Sequence, residues 1–408
     1  VEQLIEAGRP GDAAVAGRML PGLARLRGYG YVVDVAAVRA ADLQCGMGDW
    51  RRPSLLHGAA KDALNSCISG EGEPPLRLTI AAVACAGSGV ICGIPVQQLR
   101  EDSVTELNLS DRGLHVPAAM LVASLIPATS VLKSCNLLKN RFDVESAKKL
   151  IKMGMEKGIM LSGMTCDQTE ADFSHQSLKP ADSILIASDL QFMAALTELT
   201  LWSNNIGDDG AKAIAEALKV NAVLTFLRLD DNKIGDDGAK AIAEALKVNA
   251  VVTKLWLSSN NIGPEGAMAI AEALKVNAVL TSLDLAGNPF SFGIKIGDEG
   301  AKAIAEALKV NAVLTSVDLQ INSIGDDGAK AIAEALKVNA VLTELDLTSN
   351  NIGDDGAKAI AEALKANAVL TKLYLWNNDL GDAGKTAVRD AVKDRSGFEL
   401  LLNPCCRK

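Results

Sequence analysis

The sequence predicts an α/β solenoid, a right-handed coil of strand and helix units with parallel strands on a concave face and helices on a convex one. Three observations carry that prediction. A 28-residue block opening at Leu196 returns at Leu224, Val252, Leu280, Leu314, Leu342 and Leu370, with one 34-residue spacing after Leu280 and a partial unit from Phe398. Within each block apolar residues first alternate, as in Leu199-Thr-Leu201, and then recur at helical spacing, as in Ala211, Ile214, Ala215 and Leu218. A unit this short cannot bury its apolar side alone and must stack on its neighbours.

Each element follows from its residues. In the strand, Leu199 and Leu201 point to the core while positions 198, 200 and 202 point away. The turn residue Asn204, repeated as Asn232, Asn260, Asn288, Asn322, Asn350 and Asn378, is expected to form a ladder of buried amides bonded to backbone groups. Pro180 and Pro264 share the position of Asp208, and proline is favoured at the first helical residue, which places the helix start there with Gly207 as N-cap. Asp208 and Asp209 then lie in the first turn, where the helix dipole favours negative charge. Lys212, Glu216 and Lys219 face water, and Asn221 is placed to take a left-handed turn at the helix end. Degenerate units continue upstream at Gln168, Leu132 and Val104, which makes ten units from Val104 to Gly397. Parallel strands pack about 4.8 Å apart and helices about 10 Å apart, so the stack must curve with its strands inside.

The form Leu-x-x-Leu-x-Leu-x-x-Asn-x-Ile-Gly-x-x-Gly-Ala resembles the ribonuclease-inhibitor class of leucine-rich repeats over roughly residues 104 to 400. The repeat arms of NOD-like receptors and the Ran GTPase-activating proteins look most similar. The first likeness implies a non-enzymatic scaffold or sensor arm that holds a protein partner. The second implies a GTPase regulator, although the chain ends Cys405-Cys-Arg-Lys408 instead of in an acidic tail.

Composition bounds the rest. Of 408 residues 49% are apolar and only 3% aromatic, as expected where leucine and alanine supply the packing. The net charge of −9, with no basic stripe in the repeats, argues against nucleic acid as a partner. Eight cysteines without metal spacing fit reduced thiols and an intracellular, cytoplasmic setting. The chain opens on Val1, so either a presequence has been removed or the sequence is a fragment. Residues 1–60 hold seven arginines and no lysine, whereas the repeats use lysine, which sets residues 1–75 apart as a region of unassigned fold. Residues 76–103 form an apolar segment before the repeat domain at 104–397, and 398–408 form a partial repeat and tail. Within that segment Leu78 to Leu99 are 22 uncharged residues, read either as a buried capping repeat or as a membrane helix that would anchor a subunit.

Catalytic, cofactor and metal motifs fail on inspection. Gly384-Lys385-Thr386 ends like a phosphate loop, yet the glycine expected five places earlier is Asp379. The stretch from Asp230 to Gly235 has Ile234 where a calcium loop needs oxygen. His57, His115 and His175 are too scattered to form a set.

The functional signal lies where copies differ. Helix positions barely change, while the central strand position runs Thr200, Arg228, Trp256, Asp284, Asp318, Asp346, Tyr374 and the position two later runs Trp202, Asp230, Ser258, Ala286, Gln320, Thr348, Trp376. Aromatic residues and arginine dominate interface energies, which makes Trp202, Phe226, Arg228, Asp230, Trp256, Asp284, Asp318, Asp346, Tyr374 and Trp376 the candidate partner-binding set, with drift at tolerant sites as the competing reading. The six extra residues of the Leu280 unit put Phe290 and Phe292 in a loop, read as a recognition element or an inward plug.

Overall fold

A computed structural model describes residues 102–116, 129–289 and 294–402, with short pieces at 90–91, 94–95, 98–99, 118–119 and 122. Residues 1–75, Phe290, Phe292 and the tail from 403 lie outside the described residues. The chain divides into two units, Val1–Met164 and Thr165–Lys408.

In the first unit, β1 (Val90–Ile91) and β2 (Ile94–Pro95) pair antiparallel, so the described part of the 78–99 segment includes a strand pair, with Gln98 and Leu99 helical. Its residues 78–89 lie outside the described ones. β3 (Glu106–Asn108) and β4 (Ser134–Asn136) are parallel, and Met160 makes a further parallel bridge to Ser134. Between β4 and that bridge the helix Val144–Lys157 starts where the Asp143 carboxylate accepts from Ser146 N–H and stops at Gly158, φ 66°. The buried Asn140 amide donates to Leu109 O and Leu137 O and accepts from Leu114 N–H, joining successive turns.

The second unit is built on a nine-stranded parallel sheet. Its strands are β5 (Glu170–Asp172), β6 (Glu198–Thr200), β7 (Phe226–Arg228), β8 (Lys254–Trp256), β9 (Ser282–Asp284), β10 (Ser316–Asp318), β11 (Glu344–Asp346), β12 (Lys372–Tyr374) and β13 (Glu399–Leu401), paired in sequence order. Every step keeps register, Leu199 opposite Leu227, Leu227 opposite Leu255, and so on. The 34-residue step is absorbed entirely between β9 and β10, where Leu283 still meets Val317. Leu199, Leu201, Ile206, Ala211, Ile214, Ala215 and Leu218, with their equivalents, are buried between sheet and helices.

The turn asparagines bond as expected in most units. Asn260 donates to Leu229 O of the preceding repeat and Leu257 O of its own, and accepts from Ile234 N–H. Asn288, in the unit carrying the insertion, is half-buried and donates to Ser259 O at 3.5 Å. Asn221 corrects a second expectation. Neither it nor its equivalents take a positive φ, and Asn367 sits at φ −86°. They instead form another buried ladder: Asn249 donates to Leu218 O of the previous repeat and accepts from the N–H groups of Val251 and Val252. Left-handed backbone falls one residue before the turn asparagine, at Ser203, Asp231, Ser259, Ile321, Ser349 and Asn377, with φ from 51° to 58°.

Helix starts depend on the preceding repeat. Asp208 Oδ1 accepts from both Gly235 N–H at 2.7 Å and Gly238 N–H at 2.9 Å, so the first acid of one helix caps the next. Asp236, Asp298, Asp326 and Asp354 do the same for Gly263, Gly325, Gly353 and Gly381, and those glycines are extended N-caps. Where the preceding repeat carries proline there is no carboxylate. Gly207, after Pro180, and Gly297, after Pro264, turn to φ 60° and 58° and donate to Asn232 O and Asn322 O instead. Gly207 is therefore not an N-cap; it is the first helical residue, with Ile206 before it.

Candidate functional site: the open face of the sheet

The face of the sheet turned away from the helices carries three side-chain columns, set by strand alternation. Parallel register brings residues about 4.8 Å apart from strand to strand, so positions 28 residues apart in sequence become rows of neighbours.

One stretch of this face is closed on itself. The Arg228 guanidinium lies between two indoles, its Cζ 4.6 Å from the Trp202 ring centre and 5.0 Å from that of Trp256. Its Nε donates to Asp230 Oδ2 at 2.7 Å. Asp230 also accepts from the Ser258 hydroxyl and N–H, which leaves it buried. The rings are held in turn: His175 meets Trp202 edge-on at 4.2 Å between centres, and Phe226 meets Trp256 at 5.0 Å. Trp202, Phe226, Arg228 and Asp230 thus come together, largely satisfied by one another.

The neighbouring stretch is an open groove of about 580 Å³. Its floor is the register row Asp284, Asp318, Asp346, which β9, β10 and β11 place side by side. Trp256 stands at one end, Tyr374 and Trp376 at the other, with Ser282, Ser316, Glu344, Gln320 and Thr348 along the sides. Burial pushes the Asp284 carboxyl up to about 6, helped by the charges of Asp230 and Asp346 and opposed by bonds from Ala286 N–H and Ser258. Burial raises Asp318 to about 7, with Asp284 and Asp346 adding to it and Gln320 opposing. Tyr374 is buried instead of exposed; desolvation and its bond to Glu399 push its phenol up to about 12. No lysine or arginine is among the described residues that line the groove, and Lys372, on the strand that carries Tyr374, bonds to Glu344 at 3.1 Å.

Strand alternation was enough to put the floor and the rings on this face. It left unremarked Ser282, Ser316 and Glu344, although their column, two residues before the central one, shows the same variation between copies: Glu198, Phe226, Lys254, Ser282, Ser316, Glu344, Lys372. Among the described residues no cluster suits a metal ion, and no helix is long and apolar enough to cross a membrane.

Comparison with known proteins agrees with the geometry. The leucine-rich repeat family model matches residues 195–215, 220–243, 248–271, 310–333 and 338–361. Together with the parallel sheet and the alternation of strand and helix, this makes the fold an α/β leucine-rich-repeat solenoid. No curated protein matches the chain. Among solved structures the chain is similar to one titled "Leiomodin-1 Actin-Binding Site 2 (ABS2)", at 28% identity over 38% of this chain and 87% of that one, with a TM-score of 0.31. That overlap is too partial to assign anything to this chain.

Proposed function

We propose that this chain is a non-enzymatic interaction scaffold of the ribonuclease-inhibitor-like type, working inside the cell, whose open sheet face holds a protein partner. The observation that carries the reading is the contrast between faces. Helix positions repeat from copy to copy, whereas the sheet columns change and enclose a groove of about 580 Å³ rimmed by Trp256 and Trp376. Side chains in those columns lie on the side of the sheet away from the leucine core, so most of them are free to encode recognition.

The test is selection of displayed peptides on the full chain, followed by variants on each face. Trp376→Ala is expected to weaken selected binders tenfold or more, about 1.4 kcal/mol, with the fold unchanged by circular dichroism. Lys302→Glu and Lys330→Glu, on the helix side, are expected to leave binding intact. Binders that ignore Trp376→Ala and are lost with the lysine reversals would place recognition on the helices and refute the reading.

A further inference from the structure

We infer that the groove between Trp256 and Trp376 takes an arginine-bearing extended segment of the partner, seating the guanidinium over the aspartate row and against the flanking rings. The inference rests on the reading of the open face as the partner surface and names the chemistry that face accepts.

The chain supplies its own template for this contact. One step along the same sheet, Arg228 is stacked between Trp202 and Trp256 and donates to Asp230, which satisfies the guanidinium's plane and one of its N–H groups at once. The groove offers the same two ingredients, ring faces and carboxylates, with no cationic side chain among its described lining residues. Trp256 belongs to both arrangements, serving Arg228 and also forming the groove's end wall.

Geometry sets the kind of segment. From Trp256 to Tyr374 are four strand steps, about 19 Å at roughly 4.8 Å each, which accommodates about five or six extended residues running across the strands. Alternate side chains of such a segment are about 6.8 Å apart, and a planar fork can bridge two aspartates of the row. The charge is complementary and concentrated. Asp284, Asp318 and Asp346 lie in line, with Asp230 from just after β7 and Glu344 and Glu399 from β11 and β13 on the same side. Among the described residues the cations facing this region are Arg228, engaged with Asp230, Lys372, engaged with Glu344, and Lys254, over the Phe226 ring at 6.0 Å. Asp284 and Asp318 resist ionising next to one another and become easier to ionise when a guanidinium neutralises them, so binding and proton release are coupled.

The experiment uses the full chain and a fluorescein-labelled octapeptide with arginine at alternate positions, compared with the same peptide carrying citrulline, which keeps the shape and loses the charge. Fluorescence polarisation is expected to show at least tenfold tighter binding of the arginine peptide and at least tenfold loss in the Asp284→Asn, Asp318→Asn double variant. The arginine peptide is expected to bind at least threefold tighter at pH 8 than at pH 5.5, as the row ionises. The double variant is expected to melt no lower than the parent, which separates loss of binding from loss of fold. No binding of the arginine peptide, equal binding of the citrulline peptide, or indifference to the double substitution overturns the inference. So does self-association of the chain that the peptide cannot displace, which would give the groove to a second copy. Failure of the wider reading is visible separately, because display-selected binders would then ignore Trp376→Ala; binders that need Trp376 but neither arginine nor the aspartates would leave that reading standing and sink this one.

Discussion

The carboxylate that links one helix to the next can be tested by removing it. Asp236 Oδ1 accepts from Gly263 N–H at 2.8 Å and Gly266 N–H at 2.7 Å, two groups at a helix start that would otherwise have no partner within their own helix. Asp236→Ala deletes both bonds and a negative charge at the positive end of the helix dipole. A cap residue replaced by alanine costs about 0.5–2 kcal/mol, and a bond to a charged acceptor about 1.5–3 kcal/mol where it is well buried. Asp236 is half-buried, so about 1–2 kcal/mol is expected, which for a domain of this size lowers the melting temperature by about 2–4 °C per kcal/mol. Asp237→Ala is the control: that carboxylate is exposed and meets Lys212 at 3.4 Å, a contact worth about 0–1 kcal/mol. Urea unfolding gives the energies, and amide exchange at Gly263 and Gly266 gives the location. Pro264→Asp should act in the opposite direction, supplying the missing acceptor to Gly297 and drawing it out of its left-handed conformation. If Asp236→Ala and Asp237→Ala cost the same, or exchange at Gly263 and Gly266 is unchanged, the inter-repeat cap contributes nothing and the reasoning is refuted.

Two further outcomes follow from strain and from charge. Ile321 is a β-branched residue at φ 58°, where its counterparts are Ser203, Asp231, Ser259, Ser349 and Asn377; Ile321→Asn is expected to stabilise the chain by about 1 kcal/mol, and an unchanged urea midpoint would show that the conformation costs nothing. The aspartate row should make stability depend on pH: Asp284 and Asp318 have folded values of about 6 and about 7 against 3.8 unfolded, so their contribution is fully present below about pH 4 and is lost as pH rises through about 6 to 7. Relative to the Asp284→Asn, Asp318→Asn variant the parent is expected to lose a few kcal/mol across that window, and parallel pH profiles of the two would contradict the burial of the row.

What can be read from the sequence is whatever repeats within one unit. Leucine alternation and the Ala211, Ile214, Ala215, Leu218 spacing place strand and helix because each reflects the geometry of a single element. The helix starts at Gly207 and Gly297 escape such a reading because their conformation is decided a repeat earlier, by Pro180 and Pro264 in place of an acid. Asn221 suits a left-handed turn by residue type, yet its amide is consumed by the backbone of the neighbouring repeat, a partner that only stacking supplies. Alternation puts the face residues on one side of the sheet, but it overstates the exposure of Asp230 and Tyr374, since the partners that bury them, Arg228 with Ser258 and Glu399, come from within the strand face itself. The register that reveals the Arg228 stack is already present in the 28-residue spacing.

The same sheet therefore carries two solutions to one problem on neighbouring stretches that share Trp256. Where Arg228 is present, indoles and a carboxylate are satisfied internally, and the face there is closed. Where aspartates replace it, at 284, 318 and 346, the rings remain but burial forces the Asp284 and Asp318 carboxyls toward their protonated forms, a state that a bound cation would relieve. Neither arrangement draws on the leucines and asparagines that hold the stack together, which lie on the opposite side of each strand or in the turns. Substitution in the three face columns can therefore redirect recognition while the inter-repeat bonds that define the solenoid stay as they are, and this separation of the two sets of residues is what allows seven closely similar repeats to present a surface that changes from an arginine held between indoles to a row of aspartates.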